Sequence, residues 1–200
     1  MTRTLSLSIL ALLLAGTLVA CDNSEDGSGN VNFFVEPEWT IVNGIPAGDG
    51  EEEINDGWSV VYEKFLVCLG EVYVTRTDSG APRYEMNEHY VIYLKDGPAG
   101  GLVVATFEGL AARDWDRVGY ALLAAGPDAT PLGSVSSEDF SEMVDNGLSV
   151  STRMVVSKTG GQVCPYLTET VDPADPARPC VTLEEVVLHW QLPFPARAEG

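Results

Sequence analysis

Residues 58–76, WSVVYEKFLVCLGEVYVTR, are built on a period of two. Trp58, Val60 and Tyr62 alternate with Ser59, Val61 and Glu63; beyond Lys64, the residues Phe65, Val67 and Leu69 resume the alternation in a shifted phase. Successive side chains of an extended chain point to opposite faces, so alternation carried by β-branched and aromatic residues predicts a strand. The phase change at Glu63-Lys64 predicts a bulge or bend, and Gly70 marks a second.

Working outward, the apolar run 31–35, closed by Glu36-Pro37, predicts a first strand, and 40–45 extends the pairing after a turn. Segments 89–95, 102–107, 116–124, 148–157 and 181–192 read as further strands, with turns of Gly, Pro and Asp between them. One helix is expected: Ser136 caps it, Asp139 stands three residues on, Phe140, Met143 and Val144 recur at helical spacing, and Gly147 stops it. No repeat of fixed period is present, which excludes a propeller or solenoid. The fold class expected is all-β: an antiparallel β-sandwich, or a barrel, of about seven or eight strands with one short helix.

The N-terminus has a different character. Arg3 precedes an apolar core from Leu5 through Leu14, and Leu18-Val19-Ala20 leads into Cys21. That core falls short of the roughly 20 apolar residues a spanning helix needs, so it reads as a signal peptide. The order of features resembles the lipobox of bacterial lipoproteins, in which a peptidase cuts before the cysteine and the cysteine then carries acyl chains such as palmitate. The resemblance implies lipidation of Cys21 and a protein held to the cell membrane or the outer membrane, facing the periplasm or the cell exterior. Two or more chains, at about 0.8 kcal/mol per buried methylene, make such an anchor stable. Asp22 resembles the residue that retains these proteins at the inner membrane in some Gram-negative lineages; because that rule differs between lineages, both membranes stay open. The organisation expected is therefore a signal peptide over 1–20, a polar Gly/Ser-containing tether over 21–30 and a β-sandwich domain over 31–197.

Charge narrows the partners. The chain has 11 Lys plus Arg against 30 Asp plus Glu, a formal net charge of -19. Nucleic-acid binding rests on cations neutralising phosphates, so nucleic acid is excluded as a partner. The same surface is repelled by anionic headgroups, so attachment to a membrane must come from the lipid rather than a basic patch. Solubility is the ordinary reading of such a charge.

If Cys21 is the anchor, Cys68, Cys164 and Cys180 remain, in a compartment where disulfides persist. Cys164 and Cys180 flank a Pro- and Asp-rich stretch of weak structural preference. A disulfide between them is the natural pairing, worth on the order of 3 kcal/mol for a loop of this size, while the two pairings that involve Cys68 stay open. Cys68 itself, within Phe65-Leu66-Val67-Cys68-Leu69, reads as a small buried hydrophobe.

Motifs for chemistry are sparse. His89 stands beside Glu88 and near Glu85; His189 shares a strand face with Glu185, Val187 and Gln191. If their strands are neighbours, the two imidazoles and a carboxylate converge on zinc or copper, which favour such ligands. No HExxH, CxxC or His-x-His spacing supports this, and surface or half-buried histidines are the ordinary reading. The acidic loop 48–57, GDGEEEINDG, lacks the alternation and closing Glu of an EF-hand. No G-x-S-x-G elbow or phosphate-binding glycine loop occurs, and no catalytic residue is assigned. Trp39, Trp58, Trp115 and Trp190 would form a sugar platform only if exposed together. The strand pattern over 58–73 and 115–123 is similar to that of uncharacterised bacterial envelope lipoproteins with a compact β-sandwich, which implies a role in binding or assembly, with an envelope protein as a partner, rather than catalysis. The function expected is a lipid-anchored, non-enzymatic binding or structural module of the cell envelope, needing no cofactor; the alternative is a periplasmic zinc- or copper-binding protein using His89 and His189.

Overall fold

The computed structural model describes residues 27–78, 80–163 and 181–199. In chain order these form β1 (Ser28–Val35), α1 (Trp39–Asn43), β2 (Ser59–Thr75), β3 (Tyr84–Met86), β4 (Tyr90–Tyr93) and β5 (Leu102–Ala111). There follow β6 (Arg117–Leu122), β7 (Thr130–Leu132), α2 (Ser137–Asp145), β8 (Val150–Ser157), β9 (Gln162–Val163), β10 (Val181–Thr182), β11 (Glu185–Leu192) and β12 (Ala196–Glu199). Residues 1–26 and 164–180, and with them Cys21, Cys164 and Cys180, lie outside the described residues.

The alternating segment is one strand of 17 residues, β2, and the large sheet is assembled on it. Along one edge it pairs first with β8, from Ser59 to Val67, and then with β6, from Leu69 to Thr75. Along the other it pairs with β4, from Leu66 to Leu69, and then with β3, from Val72 to Val74. All four pairings are antiparallel. β11 lies outside β8, β12 outside β6, and β7 runs parallel outside β4. The sheet ends at β11 on one side and β7 on the other, so it is open and not a barrel. β1 and β5 form a separate antiparallel two-stranded sheet that covers one face.

Both expected breaks in β2 are present. The register with β8 slips between Tyr62 and Lys64, and the register with β6 slips between Gly70 and Tyr73. The second slip inserts one extra residue, and Glu71 there has φ 49°, the one non-glycine residue with positive φ among those described. Because an inserted residue reverses which side chains face inward, the buried set passes from Val67 and Leu69 to Val72 and Val74 without leaving the same core. That core closes against Val104 and Phe107 of β5 and Phe33 of β1, whose ring meets Phe107 edge-on at 5.6 Å. The opposite face of β2 buries Leu66 and Cys68, which pack beneath Met143 of α2.

Local sequence accounts for α2. Ser136 Oγ accepts from the Asp139 amide at 3.1 Å and donates to the Asp139 carboxylate at 2.7 Å. At the other end the Gly147 amide donates to Val144 O and the Leu148 amide to Met143 O, the paired closure that a left-handed glycine permits; Gly147 has φ 58°. Leu148 and Met143 are both buried, so the cap is also a hydrophobic contact.

Three expectations need correction. Residues 40–45 do not extend the pairing as a strand: 39–43 turn as α1, Gly44 with φ 86° ends it, and Ile45 alone bridges Val60. Among the described residues there are twelve strands, where seven or eight were expected. The seven remaining expected strands are all there; β3, β7, β9, β10 and β12 have two to four residues each, too few to show a period. Ser28, Gly29 and Asn30, expected in the tether, belong to β1, since backbone pairing to β5 needs no apolar side chain.

Candidate functional site

The two histidines lie on separate parts of the sheet. His89 precedes β4, with Nδ1 3.6 Å from Asp128 Oδ2, and its ring lies so close to Gly70 that a Cβ there would meet it at 2.6 Å. His189 is in β11, with Nε2 3.3 Å from Glu142 Oε1 and 3.4 Å from Ser151 Oγ. β8 and β2 stand between β11 and β4, and three strand spacings amount to about 14 Å. The condition for a shared metal site, neighbouring strands, is not met: β2 takes β8 and β4 on opposite edges. Among the described residues no group of three or more His, Cys, Asp or Glu side chains is placed to hold a metal ion. In the acidic loop, Glu53 accepts from the Gly50 amide at 2.8 Å and so closes the turn on itself. The tryptophans do not share a platform. Trp115 packs into the first core and Trp58 is half-buried, leaving Trp39 on α1 and Trp190 on β11 exposed.

His189 instead joins a polar cluster that ties α2 to the sheet. Lys64, directly after the first bulge of β2, forms ion pairs with Asp139 and, at 2.8 Å, with Glu142. Glu142 also accepts from Gln191 Nε2 at 2.6 Å and from Ser151 Oγ at 3.4 Å. One carboxylate thus meets β2, β8 and β11. Burial raises the pKa of Glu142 and of Asp139, but the hydrogen bonds and charge of Lys64, joined by hydrogen bonds from Gln191 to Glu142 and from Ser136 to Asp139, together outweigh it, and both end below their ordinary values. Burial pulls Lys64 down, and the two carboxylates more than reverse this. The arrangement does not amount to a catalytic triad. Ser151 is fully buried, and both it and Glu142 approach the same nitrogen of His189, so Glu142 does not orient the ring from its far side as a triad carboxylate does. Sequence reading placed His189 and Gln191 on one face but did not find Lys64 or Glu142, which lie 78 positions apart with no local pattern linking them.

Cys68 is free and fully buried, and burial, with the charge of Asp128 adding to it, pushes its thiol up to about 11. At neutral pH it is a protonated core residue rather than a nucleophile, as its apolar run implied.

The second feature is a cleft of about 330 Å³ between the two sheets. The two-stranded β1–β5 layer is narrower than the sheet it covers. Where its cover stops, Val118, Tyr120 and Leu122 of β6 face residues Phe33–Glu36 of the β1 end across a gap floored by Leu69 and Val72. Leu69 and Val72 are buried, whereas the rim residues Phe34, Val118 and Tyr120 are 55%, 38% and 44% exposed. Glu36 is the one ionisable carboxylate on the lining. The alternation of β2 put Leu69 on the face of Val67; Val72 joins it only through the bulge, and the gap depends on how far β1 and β6 lie apart, which no local pattern encodes.

Compared with models of known protein families, with curated proteins and with solved structures, the chain finds no match.

Proposed function

We propose that the chain is a lipid-anchored cell-envelope protein whose β-sandwich serves as a non-catalytic binding module. The observation that carries the binding role is the inter-sheet cleft: an open, apolar recess of the size of a small ligand site, set in a rigid two-sheet frame. The polar cluster under α2 supports the same reading from the other side, because its charged groups are engaged in fastening the helix. Anchorage rests on the order Arg3, apolar core, Leu18-Val19-Ala20-Cys21. A lipid tether also accounts for how a chain of net charge -19 stays at a membrane that would repel it. In this reading Cys164 and Cys180 form the disulfide, and Cys68 is the thiol left over.

The test is fractionation of cells that express the full chain and its Cys21→Ser variant. The parent chain should sediment with membranes and be extracted only by detergent; the variant should move to the soluble fraction. An unchanged distribution refutes the anchor.

A further inference from the structure

We infer that the cleft between the two sheets holds a single unbranched acyl or alkyl chain whose head group is neutral or cationic. The inference deepens the binding-module reading and rests on it. Three features select this occupant. The volume, about 330 Å³, stands near the lower end of ligand sites, which run from roughly 300 to 1,000 Å³, and suits one slender chain better than a fused ring system. The floor and walls, formed by Leu69, Val72, Val104, Leu122 and Phe33, offer aliphatic and aromatic surface, and the polar side chains on the lining are those of the exposed Tyr120 and Glu36. The third feature is charge: the exposed carboxylate of Glu36 stands on the lining, and the chain as a whole carries -19. An anionic head group is repelled at the mouth, and a neutral or cationic one is not.

The floor is already buried when the cleft is empty of any side chain, so a ligand would displace water chiefly from Phe34, Val118 and Tyr120 at the rim and from the gap between the sheets. Binding of this kind follows chain length. Each methylene removed from water should raise the affinity about fourfold until the chain fills the cleft, after which added methylenes remain in water and the gain stops.

The full chain carrying Cys21→Ser, which has no acyl group of its own, is titrated by calorimetry with alkyl maltosides from octyl to hexadecyl, each below its micelle concentration. Saturable binding of one molecule per chain is expected, with affinity rising about fourfold per methylene to a plateau. Dodecyltrimethylammonium should bind at least as well as the maltoside of equal length, and dodecyl sulfate at low concentration should bind more weakly. Val118→Trp, at an exposed rim position where folding is not at stake, should reduce affinity at least tenfold. Glu36→Lys should reverse the preference between the cationic and the anionic head. Absence of saturable binding, affinity without a plateau, or a Val118→Trp variant that binds as the parent does would overturn the proposal. Failure here leaves the fractionation result untouched, and failure of the anchor leaves this titration untouched, so the two readings fall separately.

Discussion

Replacing Lys64 by Met leaves Asp139 and Glu142 facing each other across the space the ammonium occupied, at the seam between α2 and the sheet. Side-chain exposures of 23% for Lys64, 18% for Asp139 and 20% for Glu142 place the cluster between the surface and the interior. Exposed ion pairs contribute about 0.2–1 kcal/mol, whereas removing one partner of a buried pair costs about 3–5 kcal/mol. An intermediate site with two carboxylates left without their cation, Glu142 still bonded by Gln191 and Asp139 by Ser136, points to a loss of about 2 kcal/mol near neutral pH. The pH dependence adds a sharper signature. Asp139 and Glu142 have folded pKa values below their ordinary 3.8 and 4.5, so their contribution is present above those values and is lost as pH falls through the lowered folded ones. Lys64 has a folded value above 10.5, so its contribution is full below 10.5 and disappears as pH rises through the raised value. The stability difference between parent and Lys64→Met should therefore be widest at neutral pH and narrow in acid, once the carboxylates are protonated. Urea unfolding followed by tryptophan fluorescence, at neutral pH and again below the carboxylate range, measures both. A variant within about 0.5 kcal/mol of the parent at neutral pH, below the range expected even of a partly buried pair, or a deficit that stays constant into acid, would refute the reasoning.

Two further outcomes are expected. Glu71 holds φ 49° in the second bulge of β2 and pairs with the largely exposed Arg197 at 2.7 Å. Since a left-handed backbone costs a non-glycine residue about 1–2 kcal/mol and an exposed pair is worth less than that, Glu71→Gly should match or exceed the parent in urea midpoint while Glu71→Ala falls below it; an Ala variant more stable than the Gly variant contradicts the strain. The Cys68 thiol, buried and pushed up to about 11, should resist iodoacetamide in the folded protein and react once urea unfolds it, while non-reducing mass mapping should find Cys164 joined to Cys180. Rapid native labelling of Cys68, or free Cys164 and Cys180, defeats the corresponding assignment.

Much of the fold was legible because it is written in short-range periods. Alternation in 58–76 announced β2; the phase change at Glu63-Lys64 announced the first bulge, since an extra residue in a strand must show as a reversed pattern, and Gly70 marked the second. Ser136, Asp139 and Gly147 bracketed α2 because caps act within one turn. Residues 40–45 misled: four apolar or β-branched positions in six read as strand, yet Pro37 and Gly44 bound so short a segment that a single helical turn fits between them and only Ile45 reaches the sheet. The shortest strands escaped for want of enough residues to show a period.

The sequence by itself determined the class of the fold, the place of its longest strand, the breaks in it, the capped helix α2 and the apolar setting of Cys68, because each depends on residues within a few positions of one another. The tertiary structure alone decided which strands are neighbours. It set His89 and His189 apart by routing β8 and β4 to opposite edges of β2, brought Lys64 to Glu142 and both toward β11, and left the β1–β5 layer too narrow to cover Val118, Tyr120 and Leu122. Those outcomes follow from pairing and packing between segments distant in the chain, where hydrogen-bond partners and buried area, rather than local pattern, select the arrangement.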